Sequence, residues 1–196
     1  MRRLKIKDVV MVALLTALYF IIYMISSGIA TVIGAFGHAI SPGICAFLGG
    51  TVFVFMSRKV GKFLQFTIMT AILMLVYSVM GAAYLPWIIT SMVGALIADL
   101  IASRQEKPAI WKVAVASGIL HIGQAWGSIV PSWFFLESYK QEWIERGIDA
   151  ADMEEKAAAT QGMMGVLATF AVFALSVVGV YLGYLIIRKH LKEDRK

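Results

Sequence analysis

Three polar side chains lie along one apolar stretch of the chain, and their types suit recognition of a small molecule. His121 and Gln124 are three positions apart, and His121 and Ser128 are seven apart. A helix therefore places all three on one face. Inside a membrane, such side chains face a helix bundle or a cavity. The spacing predicts either a ligand-contacting face, with His121 and Gln124 as substrate-binding residues, or hydrogen bonds between helices.

Aromatic residues stand at the predicted outer ends of two apolar segments. Tyr84 and Trp87 begin one segment, and Trp133 ends another. Aromatic side chains at such positions commonly form the belt at the membrane–water interface, which is one interpretation. The other interpretation makes them substrate-binding residues, because an apolar, aromatic pocket with a few polar groups suits a flat heterocycle.

Two further ionisable residues leave alternatives open. His38 lies in a stretch over 33–43 that contains glycines and a proline, which predicts an irregular loop. With His121 it is a conceivable ligand pair for a metal or haem iron, although two histidines far apart in sequence are poor evidence for one. Asp99 lies late in an apolar segment, where a carboxylate indicates function by default. Its role stays open, because pairing with nearby Arg104, or solvation of the carboxylate at the membrane interface, explains it equally well.

Enzyme chemistry finds little support in the sequence. The chain has no His-Glu-x-x-His metalloprotease motif and no Gly-x-x-x-x-Gly-Lys-Ser/Thr phosphate loop. Its single cysteine, Cys45, excludes an internal disulfide and a cysteine-based zinc site. We therefore expect no enzyme activity, no metal and no cofactor, and any energy from ATP must come from partner subunits.

The elements that position these residues are membrane-spanning helices. Of the 196 residues, 60% are hydrophobic and only 15% are charged, against roughly a quarter charged in soluble domains. Continuous apolar runs in lipid must be helical, because lipid offers the backbone no hydrogen bonds. We predict an all-α integral membrane protein, one domain over 1–196, with six transmembrane helices. The predicted spans are 9–29, 43–56, 63–79, 85–101, 110–135 and 163–187.

The distribution of positive charge predicts the orientation. If the N-terminus is inside and the spans alternate, all but three of the 18 basic residues fall in the inner segments 2–7, 58–62, 104–112 and 188–196. The outer loops hold Lys140, Arg146 and Lys156. Cytoplasmic loops carry such an excess of Lys and Arg, so both termini are expected in the cytoplasm. The net charge of +6 is read as this topology signal, and nucleic acid is not an expected partner.

The outer stretch 137–161 differs from the rest of the chain because it carries seven carboxylates and ends in an alanine run. We interpret it as an ordered loop with one or two short helices. A flexible acidic linker is the alternative. Loops of this length are often functional lids.

The first span contains Ala13-Leu14-Leu15-Thr16-Ala17, in which two alanines four apart share a face. Small residues let another helix approach closely. This Ala-x-x-x-Ala motif, six helices, the length and the basic head resemble the S-components (substrate-binding subunits) of energy-coupling factor (ECF) transporters. The segment Lys7-Asp8-Val9-Val10-Met11-Val12-Ala13 and the Gly-rich stretch that follows the first span make the chain similar to the Trep_Strep family of bacterial integral membrane proteins.

This resemblance implies a function in the bacterial plasma membrane. S-components bind a scarce nutrient at the outer face and associate with a transmembrane T-component and two ATP-binding subunits. Ala13 and Ala17 would pack on the T-component, and the S-component would then topple to release its ligand inside. The loop between helices one and two often covers the site in such proteins, which adds His38 to the substrate-binding residues.

Three other functions remain open at the level of sequence. One is a self-sufficient small secondary transporter, in which Asp99 or His121 would be essential for coupling. Another is an S-component that binds haem or another tetrapyrrole. The third is a non-transport membrane assembly subunit, which would tolerate changes to the outer polar and aromatic residues. The substrate itself is not specified by the sequence.

Overall fold

The computed structural model describes residues 4–82, 84–103 and 107–189. This part of the chain contains eight helices and no strand. The helices are α1 (Ile6–Ile33), α2 (Ala35–Lys59), α3 (Gln65–Val79), α4 (Leu85–Ala102), α5 (Ile110–Phe134), α6 (Leu136–Glu145), α7 (Ala150–Ala158) and α8 (Gly162–Ile187). The described part is therefore all-α, as predicted.

Five of these helices, α1, α2, α4, α5 and α8, are long and apolar enough to cross a membrane. The remaining predicted span, 63–79, corresponds to α3, a shorter apolar helix of 15 residues. At 1.5 Å per residue its length is about 22 Å, less than a hydrocarbon core of about 30 Å. The chain is a multi-pass membrane protein whose third apolar helix is short.

The second span is longer than predicted, and the predicted irregular loop over 33–43 is wrong. Only Gly34, with φ of +90°, separates α1 from α2, so His38 lies within a helix. Pro42 also lies inside α2. It has no N–H to donate to the carbonyl of His38, and neighbouring helices allow such a proline in a membrane bundle. Glycine and proline therefore did not mark a loop here.

Small residues allow the helices to cross closely. A Cβ added at Gly50 of α2 would lie 1.9 Å from the carbonyl oxygen of Gly179 in α8, and one at Gly183 would lie 2.4 Å from Thr51 N. Gly179 and Gly183, which are four positions apart on α8, thus serve a contact within the subunit. In the same way, α4 and α5 cross where Gly94 meets Gly123, whose Cα lies 3.0 Å from the position of an added Cβ. Helix α2 accordingly packs between α1, α5 and α8.

Residues 135–161, which we call the cap, connect α5 to α8 and contain the short helices α6 and α7. The Asp149 carboxylate accepts a hydrogen bond from Ala151 N at 2.8 Å and so caps α7. The Lys140 ammonium joins the two helices, lying 3.0 Å from Glu154 and 3.1 Å from Glu137. These two carboxylates raise the pKa of Lys140. The acidic stretch is thus an ordered helical pair.

The opposite end of the bundle, which we call the basic end, carries Arg58 and Lys59 in the last turn of α2 and Lys62 between α2 and α3. It also carries Lys107 before α5 and Lys112 in its first turn. The basic residues Arg2, Arg3 and Arg104 and those beyond Lys189, which also entered the orientation argument, lie outside the described residues. The basic residues of the described loops are therefore concentrated at the end of the bundle opposite the cap.

Asp99 has a structural role at the basic end. Its carboxylate accepts hydrogen bonds from Phe66 N at 3.2 Å, Thr67 N at 2.8 Å, Thr67 Oγ1 at 2.7 Å and Ser103 Oγ at 2.7 Å. The first two groups are backbone donors at the start of α3, whose own N-cap residue, Leu64, provides no side-chain bond. Asp99 on α4 therefore caps α3, whereas its predicted partner Arg104 lies outside the described residues.

Candidate functional site

An aromatic cavity of about 370 Å³ lies at the cap end of the bundle. We call it the aromatic chamber. It lies between the second half of α1, the first half of α2, the ends of α3 and α5 that face the cap, the start of α4, and α6. Its six aromatic side chains are Tyr23, Tyr77, Tyr84, Trp87, Tyr139 and Trp143. The volume is within the ~300–1,000 Å³ range of small-molecule sites.

The aromatic rings that line the chamber pack against one another. On one side, Tyr77 packs against Tyr23 and Trp87, with ring centroids 5.4 and 5.2 Å apart and planes inclined at 62° and 73°. On the other side, Tyr84 lies 5.7 Å from the rings of both Tyr139 and Trp143. Such inclined pairs are favourable arrangements of aromatic rings. Flat apolar surfaces at fixed positions suit a planar ligand.

Gln124 presents an unsatisfied carboxamide to this chamber. Its side chain is 2% exposed, and neither its amide oxygen nor its amide nitrogen has a hydrogen-bond partner among the described residues. The Tyr19 hydroxyl comes within the range of a marginal side-chain hydrogen bond to Gln124, but the geometry is poor, because this hydroxyl is directed to His121 Nε2 at 2.7 Å. A buried polar group without a partner costs about 1–3 kcal/mol. The chamber therefore holds a donor and an acceptor that a bound molecule can satisfy.

Two further hydrogen-bonding groups face the same space from the cap end. The indole Nε1 of Trp143 is buried and lacks a partner within the described part of the chain. It is a donor only, so it requires an acceptor. Burial raises the pKa of Tyr84 to about 12, with the Glu142 carboxylate adding to this effect. The Tyr84 hydroxyl therefore stays protonated at neutral pH.

His121 does not line the chamber and is already satisfied by the protein. Its Nδ1 lies 2.6 Å from the carbonyl oxygen of Ser117, which only accepts, so Nδ1 carries the proton. In the neutral ring Nε2 is then the acceptor, and the Tyr19 hydroxyl donates to it at 2.7 Å. The bond ties α1 to α5, one turn from Gln124. With both nitrogens engaged, His121 is unsuited to ligate a metal together with His38.

Trp133 also lies outside the chamber. Its ring is 46% exposed, and its indole Nε1 donates to the carbonyl oxygen of Thr160 at 2.8 Å. The Thr160 hydroxyl in turn lies 2.6 Å from Ser132 Oγ. These bonds fasten the end of the cap to the end of α5. Trp133 therefore anchors the cap, and of the six residues predicted for substrate binding, His38, Tyr84, Trp87 and Gln124 line the chamber.

A second cavity of about 330 Å³ adjoins the chamber, and we call it the charged vestibule. Ser27, His38 and Ser41 line both spaces. The remaining lining residues are Ala30, Thr31, Gly34, Ala35, Asp152, Glu155 and Lys156. Acidic and basic side chains of α7 thus lie beside an aromatic chamber that, in the described structure, is lined by no Asp, Glu, Lys or Arg. Neither space brings three His, Cys, Asp or Glu residues of the described chain together as a metal site.

The predicted partner surface lies elsewhere. Ala13 and Ala17 of α1 are exposed on the outside of the bundle, beside Leu14 and Leu18, which are 64% and 49% exposed. They do not take part in packing within the subunit. The small-residue face is therefore open to a neighbouring helix or to lipid.

Sequence reasoning missed four of the six chamber aromatics. Tyr23 and Tyr77 lie inside apolar spans, where an aromatic residue looks like ordinary core. Tyr139 and Trp143 carried a usable signal, because they are two aromatic residues four apart in an otherwise polar, acidic segment. That spacing places them on one face of a short helix.

Comparison with known proteins agrees with the membrane assignment. The family model described as "Hypothetical bacterial integral membrane protein (Trep_Strep)" matches residues 6–193. The chain therefore belongs to this family, whose description names no ligand and no reaction. No curated protein and no solved structure matches the chain.

Proposed function

We propose that this member of the Trep_Strep family is a membrane-embedded binding subunit that captures a small heterocyclic nutrient in the aromatic chamber. In this proposal the protein works as the S-component of an ECF-type importer. A T-component and two ATP-binding subunits supply the energy for uptake. The chain itself catalyses no reaction.

The observation that carries the proposal is the state of Gln124. Its carboxamide is 2% exposed and unpaired at the edge of an aromatic cavity. Buried polar groups in native proteins are normally hydrogen-bonded, and exceptions call for an explanation. A purely structural bundle gains nothing from this residue, because an apolar side chain of similar size removes the cost. A binding subunit gains specificity, because only a ligand with matching polar groups satisfies the carboxamide.

The positions of charge support capture from outside the cell. The chamber lies beneath the cap, whereas most described basic residues between spans lie at the opposite end. Basic loops face the cytoplasm, so the cap and the chamber face outward. The cap then lies between the chamber and the medium, with Tyr139 and Trp143 of α6 in the chamber wall.

The exposed face of α1 is the proposed coupling surface. Ala13 and Ala17 are small, exposed and one turn apart on the basic half of the helix. Without a hydrophobic drive in lipid, helices associate where small residues permit close approach. A T-component helix docked here would leave the chamber at the other end of α1 unobstructed.

A self-sufficient transporter is less well supported, because Asp99 does not have the surroundings of a coupling acid. Four hydrogen bonds from Phe66, Thr67 and Ser103 hold its carboxylate at the start of α3. A proton or ion taken up there would compete with these donors. His121 is likewise held by Tyr19 and Ser117.

The test is native mass spectrometry of the tagged protein, purified gently from its own membranes. We expect a complex with a T-component and two ATPases, together with a small molecule released on denaturation. Gln124→Met should lose the small molecule and keep the complex. Ala13→Trp and Ala17→Trp should lose the complex and keep the small molecule. Leu96→Trp, at an exposed apolar position of α4, is the matched control and should keep both.

Two results would overturn the proposal. A lone chain, under conditions that preserve a known importer complex, would exclude the S-component assignment. A released molecule that is equally abundant in wild type and in Gln124→Met would show that the chamber is not where the ligand binds.

A further inference from the structure

We propose that the ligand has two parts: a planar, uncharged ring with adjacent donor and acceptor in the aromatic chamber, and a zwitterionic head, ammonium plus carboxylate, in the charged vestibule. This inference rests on the proposed binding function and specifies its substrate class. It is carried by the contiguity of the two cavities and by the pairing of charges in the cap.

Seven of the ten charged side chains of the cap are engaged by other groups of the cap. Glu137 and Glu154 pair with Lys140, and Glu142 lies beside Arg146 at 2.5 Å. The remaining engaged carboxylates are those of Glu145, which accepts from Gln141 Nε2 at 2.8 Å, and Asp149, which caps α7.

Three charged cap residues have neither an ion pair nor a side-chain hydrogen bond in the described structure, and all three line the vestibule: Asp152, Glu155 and Lys156. They occupy positions i, i+3 and i+4 of α7, so they share one face. Asp152 and Lys156 have the spacing of a helical ion pair, yet the structure forms none between them. Carboxylates and an ammonium arranged around one cavity match a head group that brings one charge of each sign.

A head of a single sign fits this arrangement less well. An ammonium alone would meet the repulsion of Lys156, and a carboxylate alone would meet that of Asp152 and Glu155. A zwitterion places its ammonium against the two acidic side chains and its carboxylate against Lys156. Hydrogen bonds between ionised groups are roughly twice as strong as those between neutral groups.

The chamber defines the other part of the ligand. Gln124 offers an N–H donor and a carbonyl acceptor side by side, and both lack partners in the described structure. A ring edge with a neighbouring N–H and C=O, as in a lactam, complements both. Trp143 Nε1 offers a further donor to an acceptor on the ring. Because Ser27, His38 and Ser41 line both cavities, one molecule reaches from chamber to vestibule.

The test uses four probes with the same 2-quinolone ring, which has a lactam edge, and different side chains. The side chains are alanyl (ammonium and carboxylate), aminoethyl (ammonium), carboxyethyl (carboxylate) and ethyl (neither). Binding to the full chain in lipid nanodiscs is measured by calorimetry at millimolar probe and below. We expect the alanyl probe to bind roughly tenfold more tightly than each of the other three, which corresponds to about 1.4 kcal/mol.

Variants identify the source of this preference. Lys156→Met should remove the advantage of alanyl over aminoethyl, and Asp152→Asn with Glu155→Gln should remove its advantage over carboxyethyl. Glu154→Gln is the matched control, because Glu154 neighbours Glu155 on α7 but pairs with Lys140. It should leave the order of the four probes unchanged.

The outcomes separate this inference from the proposed function. If the four probes bind equally and all depend on Gln124, the zwitterionic head is refuted and the binding function stands. If none binds, but the native protein releases a small molecule that is absent from Gln124→Met, the stated ligand chemistry is refuted and the binding function again stands. If none binds and the native protein releases nothing, both are overturned.

Discussion

Replacing Gln124 with methionine should stabilise the ligand-free protein and weaken ligand binding. Methionine is unbranched and similar in length, so it fills the same space without an amide. The two amide atoms of Gln124 are buried and have no partner in the described structure. A buried amide left unpaired costs about 1–3 kcal/mol. Removing it should raise the free energy of unfolding of the ligand-free protein by about 2 kcal/mol.

Gln65→Met is the matched control, and it should have the opposite effect on stability. Gln65 is also fully buried, but its Nε2 donates to Ser103 Oγ at 2.9 Å and its amide oxygen accepts from Gly61 N at 3.0 Å. The same substitution there removes two hydrogen bonds, while Gly61 N keeps its bond to Met56 O and Ser103 Oγ keeps its bond to Asp99. The free energy of unfolding should fall by about 1–3 kcal/mol.

The assay is reversible unfolding in mixed micelles with increasing SDS, followed by tryptophan fluorescence, with ligand affinity measured in parallel. For Gln124→Met we expect higher stability without ligand and at least roughly tenfold weaker binding of the alanyl quinolone probe. If the role of Gln124 were structural, its replacement would lower the free energy of unfolding. If Gln124→Met destabilises the protein as Gln65→Met does, the carboxamide has a partner within the fold and the argument for the site fails.

Three further predictions follow from contacts away from the chamber. Asp99→Asn should lower the free energy of unfolding by about 1–3 kcal/mol, because α3 loses its charged cap. Uptake per folded molecule should stay constant. A loss of uptake without a loss of stability would instead indicate that Asp99 is a coupling acid. Gly50→Ala should abolish folded protein in fluorescence-detected size-exclusion chromatography, because its Cβ would overlap a carbonyl of α8. Gly28 has open space around it, so Gly28→Ala should elute like wild type. If Gly50→Ala and Gly28→Ala elute alike, the close crossing of α2 and α8 is contradicted. Tyr19→Phe should cost about 1–3 kcal/mol in SDS unfolding, because it leaves Nε2 of His121 unpaired; unchanged stability would show that the bond contributes nothing.

Glycine and proline explain why one part of the fold was misjudged from sequence. In water, Gly-rich stretches with a proline usually mark turns, which predicted a loop over 33–43. In the bundle these residues serve helix packing instead. A Cβ at Gly37 would lie 2.2 Å from the carbonyl oxygen of Ala30, and one at Gly43 would lie 2.8 Å from Val172 Cα in α8. The prediction failed because a residue that breaks an isolated helix can be required where helices meet.

The sequence alone determined that this is a helical membrane protein with its positive charge at one end. Hydrophobicity and charge act locally and add along the chain, so no knowledge of the fold is needed to read them. The family resemblance and the spacing of Ala13 and Ala17 follow from the same local information, whereas the exposure of the two alanines was found only in the structure.

Only the tertiary structure decided which polar groups are satisfied and which are free. His121 and Gln124 are three residues apart on α5 and look equivalent in sequence. His121 finds Tyr19, 102 positions away, whereas Gln124 has no partner in the described structure and faces the aromatic chamber. Asp99 likewise caps a helix that begins more than 30 positions earlier. Hydrogen bonding depends on which distant elements come within about 3 Å, and helix packing sets those distances.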